Sequence, residues 1–431
     1  MEEVHMQSGV DGEAIAQEVQ LSRRAKFFPA LGHRNFRIFF VGHGISLIGS
    51  WMQTVAQAWL VLTLTNSPFL LGVVNALQFA PVMLFSLFGG AIADRFPKRA
   101  LLFTTQTVLM TLAFLLSFLT WTNLVRYWHV AILATLLGIV NSFDMPARQS
   151  FLVELVGRRD LMNAIALNSA NFNAARIIGP AIAGFVIARF GLAPAFFLNG
   201  ISFLAVLWAL SRIEPLPVDP SPPGNILQDI RDGLGYILRT PAILTSLALL
   251  GAVSTAVLNF NVLIPVLART MLHGDARSYG FVMAAMGIGA FSGALALAGA
   301  SRFGPRTELR YGGATAVSLA VLGMGLVGSL PPAVGLAAIA GFSMITFTAT
   351  TNTSVQVLVP DHLRGRVMSM YTLLFAGSTP LGALLTGGVM DLWGPRTGFF
   401  VAGCLGLLAV MTVGLWDRHL KPQKRRDERL S

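Results

Sequence analysis

A single cysteine, Cys404, is all the sequence contains, so neither a disulfide nor a cysteine metal site can form within one chain. No His-x-x-x-His or Cys-x-x-Cys pair occurs, which removes the usual metal-ligand spacings. No nucleotide-binding loop and no recognisable nucleophile–base pair are present, so an enzyme is not expected and neither is a cofactor. Charge is scarce as well. Charged residues make up 12% of the 431, against about 25% in an ordinary soluble domain. Between positions 35 and 416 no hydrophilic segment is long enough to fold in water. Residues 1–21 are polar and acidic and lack the apolar centre of a cleavable signal, so the first apolar span is expected to serve for insertion.

What fills the chain is apolar sequence. Hydrophobic residues are 54% of the total, with 43 glycines, and the mean hydropathy is +0.66. Glycine at that level suits a membrane, where small residues let helices approach closely. Twelve stretches approach the roughly 20 residues needed to cross a hydrocarbon core: 37–63, 69–93, 100–121, 127–151, 163–188, 193–212, 242–268, 278–301, 310–329, 332–358, 367–391 and 396–416. In lipid each must be a helix, because an isolated strand leaves its backbone unpaired.

The net charge of +11 reports topology and not a nucleic-acid partner. Of the 31 lysines and arginines, 25 fall on one side of the predicted spans and five on the other, with Arg176 inside a span. The positive-inside bias places both termini and the long middle loop in the cytoplasm of a multi-pass cell (inner) membrane protein.

The predicted organisation is a cytoplasmic tail (1–36), a six-helix bundle (37–212), a linker (213–241), a second six-helix bundle (242–416) and a basic cytoplasmic tail (417–431). The linker opens with five prolines between Pro215 and Pro223, an extended composition. Asn225, with Gln228 three residues on, resembles a helix N-cap. Ile226, Ile230, Leu234 and Ile237 form an apolar stripe, as expected of a helix lying on the membrane surface and tethering two halves. The halves look duplicated. An offset of 203 pairs Gly184 with Gly387, Gly191 with Gly394 and Phe196-Phe197 with Phe399-Phe400. An offset of 207 pairs Arg95 and Arg99 with Arg302 and Arg306. Two related bundles joined by a linker are the plan of a transporter with a central site.

Three segments carry more specific signals. Gly90-Ala-Ile-Ala-Asp94-Arg95-Phe-Pro-Lys98-Arg99 follows the second span. Asp144 and Arg148 stand four apart, on one helix face, at the end of the fourth. Arg176-Ile-Ile-Gly179-Pro180-Ala-Ile-Ala-Gly184 lies in the fifth, where Gly-Pro permits a bend and close packing. The first of these resembles the signature loop of the major facilitator superfamily, G-x-x-x-D-R-x-G-R-[KR], with Pro97 in place of a glycine. The third is similar to that superfamily's antiporter motif, with Ala175 and Ala183 replacing two glycines. The run from Phe143 to Val156 resembles the branch containing enterobactin exporters and macrolide-efflux proteins.

The resemblance implies an all-α integral membrane fold of two pseudo-symmetric six-helix bundles that exports a small molecule in exchange for protons. It implies that Asp94 faces the eleventh helix and that Arg95 pairs with an acid on the fourth. Gly90, Asp94, Arg95, Arg99, Asp144 and Arg148 then form an inner gate, with Asp144 either a permanent brace or a switch. In the second half Ser301 stands where the first has Asp94, which predicts an asymmetric latch.

Arg176 sits near the membrane midplane, where a charge is costly and must face a partner or a wet cavity. It is expected to anchor an anionic substrate, to alternate partners, or to pair permanently with carbonyls or Asp144. Gln53, Gln57, Asn171 and Asn259 are the other expected cavity residues. No carboxylate lies in the middle of the first span, so proton coupling comes from the resemblance alone. The expected partners are a hydrophobic or amphipathic substrate (drug, siderophore or metabolite), protons and membrane lipid, for a monomer. A proton-coupled importer or lipid flippase of the same fold, or a non-transporting receptor or scaffold, is the alternative.

Overall fold

The structure is a computed structural model that describes residues 28–213, 226–300 and 306–427; side-chain detail covers these apart from 86–95, 226–230, 361–362 and 420–427. The proline-rich start of the linker, Asn225 and Ser301 lie outside the described residues.

Every apolar stretch of spanning length is helical, as a backbone in lipid requires. The helices are α1 (Arg34–Thr65), α2 (Pro68–Arg95), α3 (Lys98–Trp121), α4 (Tyr127–Phe190), α5 (Leu192–Arg212), α6 (Ile226–Arg239), α7 (Pro241–Ala256), α8 (Phe260–Val266), α9 (Ala276–Gly299), α10 (Thr307–Met324), α11 (Leu330–Leu358), α12 (Asp361–Ala376), α13 (Thr379–Trp393) and α14 (Pro395–Asp427). Among the described residues, ten segments are long and apolar enough to cross a membrane, and they account for eleven crossings because α4 makes two. Its 64 residues would reach about 96 Å at 1.5 Å per residue, some three times the hydrocarbon thickness.

Gly157, with φ 69° and ψ 172°, reverses α4. That backbone conformation is open to glycine and closed to most other residues. The reversal is visible in the packing. Phe151, before the glycine, meets Phe39, and Asn171, after it, bonds the carbonyl of Phe40, so both limbs reach the same level of α1. The remaining crossing, ninth in chain order, is α10, whose opening turn carries Glu308 and Arg310 and is therefore less apolar.

Two of the twelve crossings are interrupted. The seventh consists of α7, α8 and a π-helical turn at Leu267–Met271, with the break at Val257–Asn259. The eleventh breaks at Gly377–Ser378, between α12 and α13. Six crossings precede α6 and six follow it. Helix α6 docks on the second group: Arg366 Nη1 donates to Asp232 Oδ2 at 2.7 Å, and Tyr236 donates to the carbonyl of Leu358 at 3.3 Å.

Contacts between the two bundles concentrate away from the termini. Among the described residues, hydrogen bonds and close glycine approaches join them between that distal face and the midplane. Ser67 donates to Asp391 at 2.6 Å and Arg269 to Thr63 at 3.0 Å. A side-chain carbon on Gly280 would lie 2.7 Å from the carbonyl of Pro180, and one on Gly387 would lie 3.2 Å from Cα of Phe69. The deepest such contacts are Gly287 against Ile177 and Gly377 against Met83. A separate apolar cluster around Phe36, Phe39, Phe151 and Leu210 belongs to the first bundle alone, at its terminus end.

Candidate functional site

The predicted gate residues separate into two groups. Asp144 is fully buried and holds three donors from two helices. Thr105 and Gln106 of α3 donate to its Oδ1 at 2.7 and 2.8 Å, and Arg148 donates to Oδ2 from one turn further along α4. Arg148 in turn lies 3.1 Å from Nε2 of His43 on α1. His43 is buried and stacks on Phe39. A carboxylate with three donors is a satisfied anion, and removing any one donor would leave charge exposed to a low-dielectric interior. The arrangement therefore ties α1, α3 and α4 into one block.

Arg99 does not join that block. Its Nε and Nη2 donate to the carbonyls of Leu210 and Ser211 at 2.7 and 3.2 Å, capping the last turn of α5, where a cation also meets the negative end of the helix dipole. Lys98 pairs with Glu154 at 3.2 Å. Gly90, Asp94 and Arg95 lie on α2 within the segment whose side chains are outside the described residues, so their expected partners are too.

The antiporter segment forms a crossing point. A side-chain carbon on Gly179 would sit 2.6 Å from Cβ of Trp51 and 2.8 Å from the carbonyl of Ile48, both on α1. One on Gly184 would sit 3.0 Å from the carbonyl of Ala276 and 3.2 Å from Cα of Gly280, both on α9. Pro180 faces Gly280 through its carbonyl. The second limb of α4 is thus pressed against its own bundle on one side and the opposite bundle on the other.

Of the expected cavity residues, Gln53, Gln57 and Asn171 form hydrogen bonds between helices. Asn199 donates to Gln53 Oε1 at 2.5 Å, Gln57 donates to Gln78 Oε1 at 2.9 Å, and Asn171 donates to the carbonyl of Phe40 at 3.1 Å. Asn259 donates back to the carbonyl of Thr255 at 2.7 Å, at the break in the seventh crossing, and lies against Gly382 of α13. Arg176 differs from all of these. It is 6% exposed, and its Nε and Nη2 meet no acceptor. The fixed pairing with Asp144 is not present, because both carboxylate oxygens are occupied from elsewhere.

His43, Thr105 and Gln106 are functional-site neighbours that sequence reasoning passed over. The available signal was His43 itself, since an ionisable residue inside a span is by default a site candidate. Thr105 and Gln106 had no distinguishing pattern.

A profile for a family described as transmembrane secretion effectors matches residues 25–429. The staphyloferrin A transporter of Staphylococcus aureus is 27% identical, the alignment covering 89% of this chain and 97% of that protein. The multidrug efflux pump Tap of Mycolicibacterium fortuitum is 28% identical over 84% and 91%. The enterobactin exporter EntS of Shigella boydii is 27% identical over 88% and 90%. In fold, the chain superposes on a bacterial homologue of the lysosomal transporter Spinster with a TM-score of 0.72 at 14% identity, over 89% and 96% of the two chains. Twelve crossings in two bundles that meet at an α4–α9 seam, and a family match spanning nearly the whole chain, place this protein among the transmembrane secretion effectors of the major facilitator superfamily.

Proposed function

We propose that this transporter exports a hydrophobic or amphipathic small molecule, such as a siderophore, drug or metabolite, in exchange for protons. The terminus end is cytoplasmic on the evidence of its basic residues. The observation that carries the reading is the placement of the inter-bundle contacts. They seal the molecule from the distal face to the midplane and leave the other half to the gate, as a carrier open to the cytoplasm requires.

In this reading Gly90, Asp94, Arg95, Arg99, Asp144 and Arg148 control closure at the cytoplasmic end. The Asp144 block acts as the rigid part against which α2 moves, so Asp144 is a brace. Gly179, Pro180 and Gly184 form the bearing on which the bundles rock. Gln53, Gln57, Asn171, Asn259 and Arg176 stand around the cavity, the first three holding its walls together. The similarity to two siderophore transporters and a multidrug pump supports export of an amphipathic molecule over the alternatives.

Inverted membrane vesicles carrying the protein test this directly. Substrate accumulation should require an imposed proton gradient and should fail in Asp94→Asn. Accumulation indifferent to the gradient removes the antiport element, and labelling of a cysteine placed after Trp416 from outside intact cells overturns the orientation.

A further inference from the structure

Arg176 is a charged side chain that the protein does not satisfy. Its position in the second limb of α4 is 19 residues beyond Gly157 and 14 before Phe190, about 28 and 21 Å along the axis, which puts it deep in the membrane. Other strongly buried cations each have a partner: Lys98 has Glu154, and Arg310 donates to Ser246 through Nη1 while its Nε is open. Arg148, less buried, has Asp144 and His43. Nε and Nη2 of Arg176 have none. A guanidinium at this depth with open donors is costly, and the site is complete only when an acceptor arrives.

The surroundings say what kind of acceptor fits. The α4 backbone cannot retreat, because Gly179 is held against α1 and the Arg176–Ile177 segment against Gly287 of α9. Toward the terminus end, Ser169, Phe172 and Asn173 share a helix face with Arg176 by their three- and four-residue spacing. Ser169 and Phe172 are exposed. Phe172 meets Trp51 edge-on, with ring centroids 5.6 Å apart. Asn173 spends its Nδ2 on the carbonyl of Ser169 at 2.9 Å, which leaves its amide oxygen turned to other partners. A polar and aromatic strip therefore leads from the open end to a buried fork of N–H donors. A phosphate of the bilayer surface stands too far from this depth to fill it.

We infer that Arg176 binds an oxyanion carried by the transported molecule, with its aromatic or apolar body along Phe172 and Trp51, so the substrate class is an anionic amphiphile. This rests on the transport reading for the location of the cavity, but binding tests it separately. The probes are fluorescein, its methyl ester and rhodamine 6G, which share an aromatic frame and differ in charge. Binding to the full-length protein in nanodiscs is read by fluorescence polarisation.

Wild type should bind fluorescein about tenfold or more tightly than the ester. Arg176→Gln should erase that difference, Arg176→Lys should restore part of it, and neither should weaken rhodamine 6G. Equal loss for all three dyes in Arg176→Gln marks a merely structural arginine and overturns the inference. So does the absence of fluorescein binding that depends on Arg176. Uptake by inverted vesicles separates the two readings. Charge-dependent binding without accumulation sinks export and leaves the inference standing, whereas accumulation indifferent to charge and to Arg176 does the reverse.

Discussion

The two bundles descend from one pattern and hold their charges differently. At the duplication offset of 203, His43 of the first crossing corresponds to Ser246 of the seventh, and each faces an arginine. In the first bundle that arginine is Arg148, from the fourth crossing, and it is locked to Asp144 with Thr105 and Gln106 closing the remaining sites. In the second it is Arg310, from the ninth crossing, which donates to Ser246 and lies 5.1 Å from the ring centroid of Tyr311 while its Nε stays unpartnered. Asp417 accepts from Thr245 at 3.4 Å. The helices differ in the same sense. α1 runs 32 residues unbroken, whereas the corresponding seventh crossing is interrupted at Asn259 and the eleventh at Gly377. The bundle that fully satisfies its buried carboxylate keeps a continuous first crossing, and the other carries the helix breaks. The breaks make the second bundle the half expected to deform and the first the stiffer one.

The largest effect should come from breaking the stiff half. Asp144→Ala removes the acceptor of three donors and strands Arg148, a loss on the order of 3–5 kcal/mol. Thermal unfolding in detergent should show a collapse of the folded population, and Asp144→Asn should recover only part of it. Ser246→Ala, the matching lesion in the second bundle, should cost about 1.5–3 kcal/mol, the worth of one hydrogen bond to a charged group. Equal damage from the two would end the distinction between the bundles.

Next is the seam itself. Gly280→Leu places a side chain where even a first carbon would be 2.7 Å from the Pro180 carbonyl and 3.0 Å from Cα of Gly184. Neither neighbour is a flexible chain end, so the bundles must part. Vesicle transport should fall by roughly tenfold or more while each bundle still folds, since a shift of about 1.4 kcal/mol between states is already a factor of ten. Gly388→Ala is the control: its nearest neighbour there is the ring of Phe69 at 3.7 Å, an ordinary contact, and transport should persist.

The number of crossings, their pairing into halves and the crossing point at Gly179-Pro180 were legible in the sequence because each rests on a local cause: apolar length, periodic duplication and the absence of a Cβ. The charge network was half legible. Asp144 and Arg148 stand four apart on one helix, but Thr105 and Gln106 reach Asp144 from 39 and 38 residues away, a distance no local pattern encodes. The helix break at Asn259 was hidden for a similar reason: no proline stands beside it, and it depends on Gly382 packed against it. The break at Gly377 had a local signal, because Pro380 in the first turn of α13 has no N–H to give the carbonyl of Ala376. Gln53, Gln57 and Asn171 could be read as polar residues facing other helices, yet their partners Asn199, Gln78 and Phe40 came only with the fold.

The smallest effect concerns how the deforming half is fastened to the stiff one. Ser67 donates to Asp391 at 2.6 Å at the distal edge, and the amide of Phe69 approaches the same oxygen at 3.5 Å. The contact is exposed, so its worth is limited to roughly 0.5–1.5 kcal/mol. It is also made only while the distal side is closed, so all of that energy biases one conformation. Asp391→Asn keeps the shape and weakens the acceptor. It should raise the population open at the distal side by a few-fold, read as faster alkylation of a cysteine introduced at Leu70, without lowering the unfolding temperature. Arg366→Ala breaks an equally short ion pair, but Asp232 and Arg366 both belong to the second half. It should leave that alkylation rate unchanged, because a bond within one bundle has the same length whichever way the carrier faces.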